Sequence, residues 1–340
     1  MFSFANWSVL TVDFLIVLYL MLGGVTFISI LHLSNAKWRY EVRTLAVSLF
    51  GLYPVAFVLL VILLAAGKMT FPWLDAAEGH GEHHLPGWHN YTFFVVRQVA
   101  FLSFVGWLFS RFIKLQAVSE QSAEDWERFK RTALLIPFAY VLYGTMVAWD
   151  FEMTMQPSWH SAIYGMYHFV SNFGMFLAFT VTLIYFLSRN GKLVKPMPDY
   201  IYNYFAQLLL AFTILWTYTF FAQYLTIWYG NLPYERDRIV GMEGGAYAGL
   251  WWTFFTLKFI VPFVLLVFPY TRHTPSLIVK IAFSIMIGTW IERYTWISGS
   301  YGNTHLPMTG LFDIVVTVLV LASAYVMVKR SLARNNVIRA

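Results

Sequence analysis

Asp150 and Glu152 close one long apolar run, and His160 and His168 lead into the next, within the junction Ala148-Trp-Asp-Phe-Glu-Met-Thr-Met-Gln-Pro-Ser-Trp-His-Ser-Ala-Ile-Tyr-Gly-Met-Tyr-His-Phe-Val-Ser-Asn172. Two carboxyls and two imidazoles so close together suit proton exchange. A carboxylate can take a proton and an imidazole can pass it on near neutral pH. Glu292-Arg293-Tyr294 sets an acid beside a permanently charged guanidinium, an arrangement that holds the acid ionised. Lys258 stands alone in a third apolar stretch, and Asp13, Arg97 and Asp313 complete the set. Ionisable groups inside membrane segments are expensive and mark functional sites by default.

The elements that position them are membrane helices. The 340 residues are 59% hydrophobic and only 12% charged, with mean hydropathy +0.60, whereas a soluble domain carries about 25% charge. Nine apolar runs reach the roughly 20 residues that cross a bilayer: 9–33, 42–66, 91–113, 131–151, 163–187, 201–229, 246–270, 275–297 and 307–328. The first is long enough to span, not the short core of a cleavable signal. The predicted fold class is therefore an all-α polytopic membrane protein, with short loops that leave no room for a soluble domain.

Lysine and arginine predict the orientation. Counting termini and loops alternately, 17 of the 23 basic residues fall on one side, three on the other (Lys68, Arg236, Arg238), and three inside spans (Arg97, Lys258, Arg293). The positive-inside rule then puts the N-terminus outside and the C-terminus in the cytoplasm of a bacterial-type inner membrane. On that frame Asp13, Arg97, Asp150, Glu152, His168, Glu292, Arg293 and Asp313 lie toward the outer face, and Lys258 near mid-depth. Such crowding suits exchange of protons with the outer face. Ion pairs that merely stitch helix ends together are the structural alternative.

Several classes are set aside. The net charge of +6 comes from loops and does not point to nucleic acid. Cysteine is absent, so no thiolate metal site or cysteine-held Fe–S cluster is expected in this chain. Only His168 lies clearly inside a span, so no facing histidine pair for a haem is expected either. The tract Glu78-Gly-His-Gly-Glu-His-His84 has metal-ligating residue types without fixed spacing and reads as a solvated loop. Loop 230–245, with balanced charges, suits docking to another subunit or plain solvation. Segment 115–130 reads as the Ser-capped start of an amphipathic helix along the inner interface. Pro137, Pro262 and Gly23-Gly24 are candidate helix breaks of the kind transporters use.

In sequence, Trp149-Asp-Phe-Glu-Met-Thr-Met-Gln-Pro-Ser-Trp-His-Ser-Ala-Ile-Tyr164, Gln223-Tyr-Leu-Thr-Ile-Trp-Tyr-Gly-Asn-Leu-Pro-Tyr-Glu235 and Gly288-Thr-Trp-Ile-Glu-Arg-Tyr294 resemble the motifs of the NrfD/PsrC-like membrane subunits of alternative complex III. Leu31-His-Leu-Ser-Asn-Ala-Lys-Trp38 and Phe94-Val-Val-Arg97 look ActF-like; the motif at Gly288 looks ActC-like. The resemblance covers nearly the whole chain. It implies two four-helix bundles, 1–151 and 152–297, and a peripheral helix with a basic tail, 298–340. It also implies periplasmic Fe–S and multihaem cytochrome c partners, a second NrfD-like membrane subunit, and lipid-borne quinol, either menaquinol or ubiquinol, as the electron source. ActC-type chains carry a His in a Gly-rich turn beside the quinol pocket, where this chain has Leu22-Gly-Gly-Val-Thr26. Lys258 stands where ActF commonly has His.

The resulting expectation is a membrane subunit of a quinol:cytochrome c oxidoreductase that binds quinol or conducts protons. Asp150, Glu152, His168, Glu292 and Arg293 are its expected catalytic groups. His160, Tyr164, Asp13 and Arg97 are its expected quinone contacts, and Lys258 and Asp313 its proton path. A solute-coupled transporter built on Lys258, and a structural anchor for redox partners, are the competing readings.

Overall fold

The computed structural model describes residues 4–74, 87–299 and 305–339. The tract Glu78–His84 lies outside them. Nine helices long and apolar enough to span a membrane occur among the described residues: α1 (Trp7–Leu33), α2 (Arg39–Met69), α3 (Tyr91–Val118), α4 (Ala123–Met155), α5 (Tyr164–Arg189), α6 (Asp199–Gly230), α7 (Gly245–Val267), α8 (Pro275–Ser298) and α9 (Leu311–Arg334). The chain is an all-α polytopic membrane protein.

Helix α1 is apolar on every side, and such a helix must be enclosed. It is, touching α2, α4, α5, α8 and α9. Its apolar stretch is 89% buried, against 17% for α9, which packs mainly on α1 and α2 and shows most of its surface to the surroundings. Helices α2 and α3 complete one group with α1 and α4. Helices α6 and α7 complete another with α5 and α8, and the two groups meet where α1 and α4 pack on α5 and α8.

Gly23 and Gly24 do not break α1, which runs on to Leu33. They let its backbone touch its neighbours: a Cβ at Gly23 would lie 2.4 Å from Phe176 Cγ, and one at Gly24 2.3 Å from the Ala46 carbonyl oxygen. Pro137 is likewise absorbed within α4. Pro262 does mark an irregularity. Proline lacks an N–H and its ring crowds the carbonyl four residues back, here that of Lys258. Helix α7 answers with a π-helical turn over Thr256–Ile260, where the Val261 N–H donates to the Thr256 carbonyl.

The Ser-capped helix start expected in segment 115–130 is present, at Ser122, and it opens the spanning helix α4 itself. Helix α3 continues to Val118, and α4 starts at Ala123 under a Ser122 cap whose Oγ accepts from the Asp125 N–H at 3.1 Å. Packing decides this: Phe129 of the first α4 turns stacks near Phe112 and Trp126. Loop 230–245 is also built. Asn231, left-handed at φ 48°, ends α6, and Pro233 opens a short helix, Pro233–Glu243. The tail after α9 folds back, and Val194 N–H and Arg339 N–H exchange backbone bonds with Val337 and Lys192.

Candidate functional site

Glu152 follows the last α-helical residue of α4, with φ −126° and ψ −46°, outside helical geometry. Its side chain turns into the interface with α5 and α8. One carboxylate oxygen, Oε2, accepts from Arg293 Nη1 at 2.6 Å and from the Tyr164 hydroxyl. The other pairs with His168 Nε2 at 3.1 Å. Tyr164 and His168 reach one carboxylate because residues four apart share a helix face.

Arg293 links this group to a second carboxylate. Its Nη2 lies 3.1 Å from Glu292 Oε1, a charge contact rather than an aligned hydrogen bond. Glu292 also accepts from the Tyr167 hydroxyl, from Ser171 Oγ at 2.5 Å, from the Trp216 indole N–H at 2.9 Å, and from the Lys258 ammonium. Lys258 further donates to Ser171 Oγ at 2.6 Å and lies 4.7 Å from the centre of the Trp216 ring. The result is an alternating chain of charge, Glu152–Arg293–Glu292–Lys258, contributed by α4, α8 and α7 and lined by α5 and α6.

Glu152, His168, Glu292 and Arg293 are completely shielded, and Lys258 is 4% exposed. Two ionised acids against two cations leave the chain neutral, which is what allows it to be buried. An aromatic wall encloses it. Trp296 Nε1 donates to the Tyr167 oxygen at 3.0 Å, and Trp159, Tyr164 and Trp296 pack ring on ring. His168 Nδ1 points away from Glu152 and has no hydrogen-bond partner among the described residues; Tyr19 stands edge-on to the ring at 5.0 Å. Beside Lys258 lies a cavity of about 10 Å³, bordered by Val170, Gly174, Thr213 and Trp216. That is close to the smallest space that holds one water.

Arg238, read from the sequence as a loop charge, is 1% exposed. It donates to the backbone carbonyls of Glu152 at 2.7 Å and Trp296 at 3.0 Å, and its guanidinium lies over the Trp159 ring. Helix 233–243 is thereby pinned as a cover over the end of the cluster. This arginine is therefore not one of the solvated charges of loop 230–245.

Six expected site residues therefore meet: Glu152, Tyr164, His168, Lys258, Glu292 and Arg293. The others do not join them. Asp150 faces the opposite side of α4, held by Arg97 Nη2 at 2.5 Å, by Gln98 and by His89 Nε2 at 3.3 Å. Asp13 accepts from Trp290 Nε1 at 2.9 Å and Thr317 Oγ at 2.8 Å, tying α1 to α8 and α9. Asp313 caps α9 and pairs with His305 at 2.9 Å. His160 is exposed in the α4–α5 junction. Sequence reasoning missed Tyr167, Ser171, Trp216, Arg238 and Trp296. A polar stripe at 164, 167, 168 and 171, the i, i+3, i+4, i+7 pattern of one helix face, marks the first two.

Chemically, the cluster offers groups of different kinds. Arg293 cannot give up its proton under any ordinary condition, so it serves as a fixed charge between two carboxylates. Lysine and histidine do exchange protons. A proton gained at the Glu152–His168 end and one lost at the Lys258–Glu292 end leave the net charge of the buried set unchanged. Among the described residues no three His, Asp or Glu side chains gather as a metal site. Compared with known proteins, the chain matches no protein-family model and no curated protein.

Proposed function

We propose that this protein is a proton-handling membrane subunit of a quinol-oxidising respiratory assembly, and that Glu152, His168, Glu292 and Lys258 carry the protons. The observation behind this reading is the Glu152–Arg293–Glu292–Lys258 chain, buried throughout. Structural ion pairs at helix ends need only two partners. Here three helices contribute four alternating charges and two more line them, and the cation expected deepest sits on a π-helical turn, a feature frequent at functional sites. The motif resemblance around Trp149–Tyr164 and Gly288–Tyr294 supplies the respiratory context, and with it Fe–S and multihaem cytochrome c partners and a quinol substrate.

In this scheme quinol oxidised near the Glu152 end passes its two electrons to the Fe–S partner and its two protons to Glu152 and His168. Arg293 holds the two carboxylates at fixed separation. Lys258 and Ser171 extend the path toward mid-depth. A solute transporter centred on Lys258 draws less support, because the adjoining cavity is water-sized and the ammonium is engaged by Glu292 and Ser171.

The test is purification of the tagged chain from native membranes, followed by quinol:cytochrome c turnover of Glu152→Gln and Lys258→Met assemblies. Co-purifying Fe–S and c-haem subunits, with turnover lowered at least tenfold in assembled variants, supports the proposal. Absence of redox partners removes the respiratory reading. Unchanged turnover in both variants leaves only an anchoring role.

A further inference from the structure

We infer that the protein binds an anionic phospholipid in a groove between α2, α3 and α9, remote from the charged cluster. Two cavities abut there, sharing Pro54 and Met327. The larger, about 760 Å³, is an apolar trough between α2 and α9, bordered by Val58, Leu59, Ile62, Leu319 and Val326. The second, about 440 Å³, continues it toward the helix ends expected to face the cytoplasm. Its border changes character: Lys114, Arg330 and Arg334 surround it with Ser110, Ser331 and Asn335, and no carboxylate lines it.

None of the three cations makes an ion pair among the described residues. Other basic side chains at that end do find acids, as Arg43 does with Glu120 and Lys195 with Glu41. Three unpaired cations with hydroxyl and amide donors between them are complementary to a phosphodiester. The trough gives the rest of the ligand. Along α9, Val316 to Met327 covers roughly 16 Å at 1.5 Å per residue, about half of a 30 Å hydrocarbon core, the depth occupied by the tail of one leaflet's lipid. Gly51 holds the two halves in line: a Cβ there would lie 2.6 Å from Ser331 Cβ, so α2 and α9 cross in contact just where the trough meets the basic end. Val58 and Leu319 are 56% and 61% exposed, so the trough opens sideways to lipid. Charge at one end and an apolar slot of matching length at the other fit an anionic lipid better than a partner helix, which would have to bring its own acids to the basic end.

Native mass spectrometry of the full chain in detergent, with phosphatidylglycerol and phosphatidylcholine of matched tails, tests this. The wild type should retain phosphatidylglycerol at least tenfold better. The Lys114→Gln, Arg330→Gln, Arg334→Gln triple variant should lose that preference. Lys130→Gln, Arg131→Gln, Lys280→Gln, which removes the same charge from exposed positions elsewhere, should keep it. Ser323→Trp, which fills the trough with the basic end intact, should weaken retention of both lipids. Equal retention of the two lipids by the wild type, or equal losses in the two triple variants, overturns the inference. So does a photo-crosslinker at Leu319 that captures a polypeptide in native membranes instead of lipid.

Discussion

Lys258 reaches the carboxylate of Glu292 from the π-helical turn Thr256–Ile260, directly opposite Gly288. Pro262 imposes that turn by removing the hydrogen bond to the Lys258 carbonyl, and Gly288 leaves the groove through which the lysine side chain runs. An ordinary proline and an ordinary glycine together set the position of a buried cation.

The first prediction tests that groove. A Cβ at Gly288 would lie 2.7 Å from Lys258 Cγ and 3.0 Å from Leu257 Cβ. Gly288→Ala should therefore displace the lysine stem, with a loss of about 1–3 kcal/mol typical of overpacking. Gly174→Ala is the matched comparison. Its Cβ would meet Phe212 at 3.6 Å, an ordinary contact, and alanine gains roughly 0.5–1 kcal/mol over glycine inside a helix. Thermal midpoints in detergent should fall for the first and hold or rise for the second. Equal midpoints would mean that α7 and α8 part without penalty.

The second concerns the two partners of the deep ion pair. Glu292 has Arg293, Tyr167, Ser171 and Trp216 besides Lys258. Among the described residues Lys258 has Glu292 and Ser171 as hydrogen-bond acceptors, with the Trp216 face beside it. Loss of the acid strands the lysine far more than loss of the lysine strands the acid. Glu292→Gln should lower unfolding stability by about 3–5 kcal/mol, the range for breaking a buried pair, and Lys258→Met by less. The double variant should be no worse than Glu292→Gln alone, giving a coupling above about 1 kcal/mol. Denaturant unfolding of the four proteins measures it, and additive losses would refute the pairing.

A third prediction separates neighbours in sequence. Asp150 and Glu152 are two residues apart, yet share no partner: one is held by Arg97 and Gln98, the other by Arg293, His168 and Tyr164. Asp150→Asn combined with Lys258→Met should add within about 0.5 kcal/mol, as independent sites do. If the proposed function holds, Asp150→Asn should destabilise the protein while leaving quinol turnover per assembled complex near wild type, whereas Glu152→Gln should lower turnover itself. Equal turnover losses would join the two clusters into one.

How much of this was legible depended on the range of the interaction. Spans such as α1 and α5 are written in local hydropathy, and the Ser122 cap and the Pro233 helix start are written in local turn chemistry. The titratable residues were visible because charge is rare in such a chain. Their grouping was not. Asp150 and Glu152 diverge because the α-helical part of α4 ends at Phe151, Asp13 is drawn away by Trp290 and Thr317 on distant helices, and Asp313 by His305 in the loop before its own helix. Arg238 was misread for the same reason: its partners are backbone carbonyls of Glu152 and Trp296, which no pattern of side chains announces. Gly23-Gly24 reads in sequence as a helix break and is in the fold a close contact, since only the neighbours Phe176 and Ala46 distinguish the two.

The last prediction fixes the direction in which the cluster faces. The chain contains no cysteine, so any introduced thiol is unique. Tyr229, at the end of α6, and Tyr270, just past α7, are 84% and 76% exposed, and the whole of α7 lies between them in the chain. By the positive-inside rule, the excess of Lys and Arg at the Tyr270 end is expected to put that end in the cytoplasm. Tyr229→Cys should therefore react with a membrane-impermeant maleimide in intact cells, and Tyr270→Cys only after the membrane is opened. Reversed labelling would turn Glu152 toward the cytoplasm, and protons released beside it would enter the opposite compartment from the one the quinol-oxidising scheme requires. Labelling of both from one side would show that α7 does not cross the membrane, and Lys258 would then be reached from a single face.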